Sequence, residues 1–141
     1  MQKLLFLFLL VSLQTNAQKA ATDSLFIVQN YLSEIRNTVN SKKSHKHKLE
    51  KLGSLIQSAN TQKAIFNRNI TKIAGTTKDT EQLKSSLNSI LQSVILYRSD
   101  LKNNYKSQSE IVFLNKNIPA LVYKIDFHCT RAKIRLEENT H

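Results

Sequence analysis

The stretch from Leu83 to Leu101, LKSSLNSILQSVILYRSDL, decides the fold class of this chain. Its apolar residues recur at alternating steps of three and four, the spacing that places side chains on one face of an α-helix. Asp79 followed by Gln82 resembles a capping box at its start, so the pattern predicts a helix over residues 79–106. The residues that carry the spacing are Leu83, Leu87, Ile90, Val94, Tyr97 and Leu101.

The preceding segment has the same spacing. Seven of the eight spaced positions from Leu49 to Ile73 are apolar, which predicts a helix over residues 44–74. Gly75 follows the last of them, and we expect it to close the helix in the left-handed conformation. Gly53 lies inside the predicted helix at a cost of up to about 1 kcal/mol relative to Ala, which implies a packing reason.

Two further helices are predicted, one before and one after this pair. A helix over residues 23–40 follows from the spacing Leu25, Val28, Leu32, Ile35 and Val39, with Asp23 or Thr22 as its N-cap. A helix over residues 117–138 follows from apolar residues spaced from Ile118 to Leu136, with Pro119 in the first turn. Ser107 with Glu110 is a further candidate capping box.

Residues 121–129 allow a second interpretation. Within them Tyr123, Ile125, Phe127 and Cys129 alternate strictly with Lys124, Asp126 and His128, which is typical of a β-strand. We favour a helix, because the helical spacing continues through Leu136 whereas the alternation ends at Cys129. The strand remains the alternative.

The composition supports an all-α fold. The chain has only two Gly and one Pro, so few turns are available and the elements must be long. We predict an elongated up-and-down bundle of about four helices, in which residues 44–74 and 79–106 form a central antiparallel hairpin about 40 to 45 Å long. Pairing of the same apolar faces between chains, as a coiled coil, is the alternative.

The N-terminus has the pattern of a secretory signal peptide. A short positive region ending at Lys3 precedes the apolar stretch Leu4 to Leu13, and a polar segment follows. As a helix this stretch spans about 15 Å, half of a roughly 30 Å hydrocarbon core. We predict cleavage after Ala17, which leaves residues 18–141 as a single helical domain with no transmembrane span, in the periplasm or outside the cell. An uncleaved amphipathic anchor is the alternative.

The charge is strongly positive. Lys and Arg number 21 against 10 Asp and Glu, a net charge of +11, and loss of Lys3 with the signal peptide leaves +10. Such an imbalance favours anionic partners. The basic residues fall into two groups, one before and within the start of the second helix and one at helical spacing near the C-terminus. These candidate contacts are Lys42, Lys43, Lys46, Lys48 and Lys51, and Lys124, His128, Arg131 and Arg135.

No pattern of residues predicts catalysis. His45 and His47 have chelating spacing, but the lysines around them oppose a divalent cation, so we expect no metal site. His128 and Cys129 point about 100° apart on a helix and form no nucleophile–base pair. The acidic residues are mostly isolated, and we expect Asp126 to pair with a Lys or Arg. We therefore expect neither an enzyme nor a cofactor.

Cys129 is the single cysteine of the chain. We interpret it as a small apolar residue packed in a helical face. An intermolecular disulfide or a reactive thiol is the alternative, with a pKa that His128 and Arg131 would lower.

These observations predict an exported, non-enzymatic helical interaction protein, a subunit or adaptor of a periplasmic or cell-envelope assembly that binds a protein partner or a second copy of itself. The alternative is a basic module outside the cytoplasm that binds a polyanion, whether nucleic acid, anionic lipid or polysaccharide.

Overall fold

The computed structural model describes residues 2–139, and within this range the chain forms four α-helices and no β-strand. Each helix packs mainly on two others. α1 packs on α2 and α4, and α3 also packs on α2 and α4. The all-α helical bundle is therefore confirmed, and the strand alternative for residues 121–129 is wrong. The helices are α1 (Gln2–Asn40), α2 (His45–Ile73), α3 (Thr77–Lys102) and α4 (Gln108–Glu138).

Met1 of the predicted signal peptide and residues 140–141 of the predicted domain lie outside the described residues.

The buried residues of all four helices join one apolar cluster. The five spaced positions predicted for the first helix are all at most 3% exposed. In α3, Leu83, Leu87, Ile90, Val94 and Tyr97 are likewise buried, while Leu101 is half-buried. The three-and-four spacing therefore predicted the inward faces of these helices.

The start predicted for the first helix, residue 23, is wrong, because α1 is continuous from Gln2. Residues 14–22 contain three Ala together with Gln and Lys, all good helix formers, and nothing in this segment ends a helix. Thr22 and Asp23 consequently lie inside α1 and do not cap it. None of residues 4–20 is buried, and the core begins at Ala21, which is 1% exposed.

The connection between α2 and α3 does not use a left-handed glycine, so the prediction for Gly75 is wrong. α2 ends instead at Ile73, and its C-cap residue Ala74 has an extended conformation (φ −65°, ψ 133°). Thr76 then caps α3: its Oγ1 accepts from the Asp79 amide at 3.0 Å and donates to the Asp79 carboxylate at 2.8 Å. This reciprocal pair begins α3 two residues before the predicted start and leaves no room for a left-handed turn.

The end of α3 does contain a left-handed residue, Asn104 (φ 57°). The Tyr105 amide donates to the Asp100 carbonyl at 2.9 Å, and the Asn104 amide donates to the Leu101 carbonyl at 3.3 Å. These two bonds form a Schellman motif, for which Asn is an accepted alternative to Gly. α3 therefore ends at Lys102 rather than at residue 106.

α4 begins at Gln108, nine residues before the predicted start, and Pro119 lies inside it. A proline in a helix interior costs about 3 kcal/mol, because it removes one backbone hydrogen bond and crowds the preceding turn. The extra turns bury Leu114 completely and pack Ile111 against the core, which offsets this cost. Ser107 stands at the N-cap position but makes no capping bond with its side chain.

Polar contacts hold α1 against its neighbours. The Tyr31 hydroxyl donates to the Leu55 carbonyl at 2.8 Å. The Gln29 amide donates to the Val122 carbonyl at 3.2 Å and to the Asp126 carboxylate at 2.6 Å. Because Gln29 and Tyr31 are both buried, these bonds satisfy polar groups that water does not reach and set the register of α1 against α2 and α4.

Gly53 has the packing reason that its place inside a helix implies. The Arg98 guanidinium of α3 lies over it, and Arg98 Nε donates to the Leu49 carbonyl at 3.1 Å. A Cβ atom at Gly53 would lie 3.1 Å from the Arg98 guanidinium nitrogen, closer than most such contacts. The glycine therefore gives Arg98 access to the backbone of α2.

Candidate interaction surface

The basic group at the start of α2 is partly used to join α1 to α2. Lys48 Nζ donates to the Val39 carbonyl in the last turn of α1 at 3.1 Å. Lys51 forms an ion pair with Glu34 of α1 at 3.0 Å. The dipole of α2 disfavours positive charge at its N-terminus, where Lys48 lies. The carbonyls at the C-terminus of α1 attract positive charge, so the bond to Val39 offsets this cost.

Three lysines of this group do not join the helices in this way. Lys42 and Lys43 lie in the connection before α2, Lys46 lies in its first turn, and all three side chains are exposed. Ser44 caps the helix by accepting from the His47 amide at 3.3 Å. The structure therefore divides the five predicted contact residues into two that hold the fold and three that face solvent.

His45 and His47 are exposed on the first turn of α2. Among residues 2–139, no group of three or more His, Cys, Asp or Glu side chains is placed to hold a metal ion.

The second basic group, on α4, is divided in the same way. Arg135 donates to the Ile73 carbonyl at the end of α2 at 2.9 Å, and its guanidinium fills the space beside Gly75. Arg131 lies over the ring of Phe127, 5.6 Å from its centroid. Lys124 is exposed and His128 is half-buried with its ring edge-on to Phe127, at 5.4 Å. The four residues thus share one side of α4, but Arg135 is hydrogen-bonded to the C-terminal end of α2.

Sequence reasoning missed a line of large apolar side chains on the side of α4 that points away from the core. We call this line, together with Lys116, the outer face of α4. It consists of Val112, Lys116, Tyr123, Phe127 and Ile134. The apolar members are 57%, 70%, 45% and 46% exposed in chain order. Their spacing by four, seven or eleven residues keeps them on one side of the helix.

A signal for this face was present in the sequence. Within residues 121–129, the positions from Tyr123 to Cys129 alternate between apolar and polar because α4 has apolar residues on two opposite sides. Tyr123 and Phe127 belong to the outer face, whereas Ile125 lies in the core and Cys129 packs against it. The alternation that resembles a strand is therefore the pattern of a helix with two apolar faces.

Positive charge flanks the aromatic part of the outer face, whereas Glu137 and Glu138 follow Ile134 at its C-terminal end. Lys124 lies three residues before Phe127 and Arg131 four residues after it, so both are neighbours of that ring on the helix surface. Both side chains are exposed, as is Lys116. Asp126, the acidic residue next to Phe127 in sequence, accepts a hydrogen bond from the Gln29 amide of α1. The prediction that Asp126 pairs with a Lys or Arg is therefore wrong.

Cys129 packs half-buried between α1 and α4. Burial raises the pKa of its thiol, the Asp126 carboxylate acts in the same direction, and a hydrogen bond with Thr22 opposes both. The proposed lowering of this pKa by His128 and Arg131 is therefore wrong. A raised pKa disfavours the thiolate, so the packed apolar interpretation fits better than the reactive one.

The N-terminal part of α1 is the most apolar surface of the chain. Its large residues from Leu4 to Leu13 are mostly more than half exposed. Among the described residues, the helix Leu4–Asn40 is long and apolar enough to cross a membrane by length and composition. A signal sequence passes the same test, so this property alone does not separate a signal peptide from an anchor.

Comparison of the chain with protein-family models, curated proteins and solved structures finds no significant match. Its function must therefore be argued from its own residues.

Proposed function

We propose that this chain is an exported, non-enzymatic helical interaction protein, a subunit or adaptor of a cell-envelope assembly that attaches through the outer face of α4. The observation that carries the proposal is the line of four large apolar side chains that the fold leaves in solvent. Contiguous exposed apolar residues rimmed by polar ones mark contact surfaces, whereas single exposed apolar residues are ordinary.

Export is supported by the way the core is built. Cleavage after Ala17 would remove the exposed apolar part of α1 and no buried residue, because the core begins at Ala21. Intact-mass spectrometry of the protein isolated from its native envelope fraction tests this directly. A mass equal to residues 18–141 is expected, and the mass of the full chain would show that the N-terminus is kept as an anchor.

We also propose the up-and-down topology, with α2 and α3 as an antiparallel hairpin. It is supported by the short connection between them and by the Arg98–Leu49 bond, which joins the far end of α3 to the start of α2. Spin labels at His45 and Lys102 should then be close together, whereas labels at His45 and Lys78 should be about 40 Å apart, the length of α3. The reverse result would contradict the hairpin.

The attachment is tested by retention of the native envelope fraction on the tagged protein, with washes at low and then high salt. Ile134→Gln should abolish saturable retention that survives high salt, because it places a polar group in the apolar contact. Ile95→Gln on α3 is the matched control: Ile95 is 43% exposed and Ile134 is 46% exposed. Equal retention by both variants and the unmodified protein would contradict the proposal.

Binding of a polyanion is the second candidate, supported by the exposure of Lys42, Lys43 and Lys46. Such binding should fall steeply with salt and disappear when these three lysines are changed to Glu. Lys48 is left unchanged in this test, since its bond to Val39 joins α1 to α2 and its loss would confuse binding with folding.

A further inference from the structure

The outer face of α4 has the shape of a line on the surface of the bundle. Val112 and Ile134 stand 22 residues apart, which is about 33 Å at 1.5 Å per residue. Tyr123 and Phe127, the two aromatic members, lie between them and are 70% and 45% exposed. A long apolar line of this kind fits a flat surface better than it fits a ligand that needs a concave pocket.

The charge beside the line selects among possible occupants. Along the part of the line that holds both aromatic residues, Lys116, Lys124 and Arg131 are exposed and the Asp126 carboxylate is bound to Gln29. Glu137 and Glu138 follow Ile134 at the C-terminal end of the line. A second copy of the chain placed face to face would bring these cations together, which costs energy across an interface. The surface that complements the part of the line from Lys116 to Arg131 is therefore negatively charged.

We infer that the outer face of α4 binds an anionic lipid bilayer, with Val112, Tyr123, Phe127 and Ile134 entering the boundary between headgroups and acyl chains; the choice of face rests on the function proposed above. Helices that lie in a membrane surface carry apolar and aromatic residues on one side, with Lys and Arg beside them. Tyrosine suits this depth because its ring is apolar and its hydroxyl can remain in water.

The basic residues have matching places. Lys and Arg can lay their alkyl chains along an apolar surface while their charged ends reach the headgroups. Arg131 already lies over the Phe127 ring, with 5.6 Å between its guanidinium carbon and the ring centroid. Each such charge near an anionic surface strengthens binding by about 1 kcal/mol, or about fivefold.

Sedimentation with vesicles tests the inference. The probe is vesicles of mixed phosphatidylglycerol and phosphatidylcholine, compared with vesicles of phosphatidylcholine alone. The protein is used both as the full chain and from residue 18, which keeps every buried residue of the core. We expect binding to the anionic vesicles, much weaker binding of the residue-18 chain to the neutral ones, and a decline as salt is raised that leaves the apolar contribution to binding in place.

Matched variants locate the contact. Ile134→Gln should weaken binding of the residue-18 chain to the anionic vesicles roughly tenfold, and Ile95→Gln should leave it unchanged. Lys124→Gln combined with Arg131→Gln should weaken binding about 25-fold, from about fivefold per charge. The control for one charge is Arg68→Gln, because Arg68 is exposed on α2, which packs mainly on α1 and α3. Circular dichroism confirms that each variant keeps its helices.

Other outcomes would overturn the inference. If the residue-18 chain fails to bind anionic vesicles while retention of native envelope material still depends on Ile134, a protein or polysaccharide occupies the face, and the proposed function stands. Equal losses in Ile134→Gln and Ile95→Gln would show that the face is not the contact. If Ile134→Gln affects neither vesicle binding nor envelope retention, both the lipid inference and the proposed function fail.

Discussion

The two sides of α4 carry similar residues with opposite environments. On the inner side, Leu114, Ile118, Leu121, Ile125 and Ala132 are at most 3% exposed. On the outer side, the apolar residues are 45% to 70% exposed. The inner residues explain why the helix packs on the bundle. Nothing in the fold requires the outer ones, so the comparison separates the part of α4 that stabilises the protein from the part available for contact.

The largest effect is expected from a comparison of two isoleucine substitutions, one on each side of α4. Ile125 is fully buried and Ile134 is 46% exposed. Ile125→Ala should lower the free energy of unfolding by about 2 to 5 kcal/mol, because it loses buried surface and leaves a cavity. Ile134→Ala should change it by less than about 0.5 kcal/mol. Urea denaturation followed by circular dichroism measures both values, and similar losses would remove the distinction between the two sides.

Tyrosine provides a second pair, with Tyr31 in the core and Tyr123 on the outer face. Burial raises the pKa of Tyr31 from 10.0 to about 12, and a hydrogen bond with Ser58 acts in the opposite direction. The folded protein therefore holds this proton more tightly than the unfolded chain. Its contribution to stability is complete below pH 10 and is lost as pH rises to about 12.

Tyr31→Phe should reduce this alkaline loss of stability by about 2 kcal/mol. The loss should not vanish, because burial also raises the pKa of Tyr97. At neutral pH the substitution should cost about 1 kcal/mol, since the Leu55 carbonyl loses its donor. Tyr123→Phe is the control and should change neutral-pH stability by less than about 0.5 kcal/mol. If Tyr31→Phe leaves the loss of stability at alkaline pH unchanged, that loss comes from other groups.

The helical spacing predicted which residues face inward, but the ends of the helices were harder to place. Thr76 and Asp79 both have capping side chains, and the choice between them depends on a reciprocal bond that spacing does not show. Pro119 was predicted to begin a helix, because proline is favoured in the first helical turn. The helix begins earlier, and the gain from burying Leu114 that favours this depends on helices far away in sequence. Local patterns thus predict a repeating face well and predict a terminus poorly, since tertiary packing decides the terminus.

The candidate contacts show the same limit. Both basic groups were visible in the sequence, but the division within each depends on residues brought together by folding. Arg135 meets the Ile73 carbonyl, 62 residues away in the chain. The outer face could have been predicted from the helical spacing of Tyr123, Phe127 and Ile134. It was obscured because the inner and outer residues together alternate like a strand.

Arg135 and Lys124 extend the comparison to the basic residues of α4. Arg135→Met should lower the free energy of unfolding by about 1 kcal/mol, because the Ile73 carbonyl at the end of α2 loses a charged donor. Lys124→Met should change it by less than about 0.5 kcal/mol, since its side chain is exposed. Urea denaturation measures both. A larger loss for Lys124 than for Arg135 would reverse the roles assigned to them.

The smallest expected effect concerns the ion pair between Lys51 and Glu34. Their nitrogen and oxygen lie 3.0 Å apart, but the side chains are 44% and 55% exposed, so water and salt screen the attraction. A double-mutant cycle of Lys51→Met and Glu34→Gln should give a coupling free energy below about 0.5 kcal/mol that declines further in high salt. A value above about 1 kcal/mol would mean that the lysines near α2 stabilise the fold substantially. A small value instead means that this pair adds little to stability. Lys42, Lys43 and Lys46 are exposed, so changing each of them should alter stability by less than about 0.5 kcal/mol, and a loss of polyanion binding in that variant then reports on contact rather than on folding.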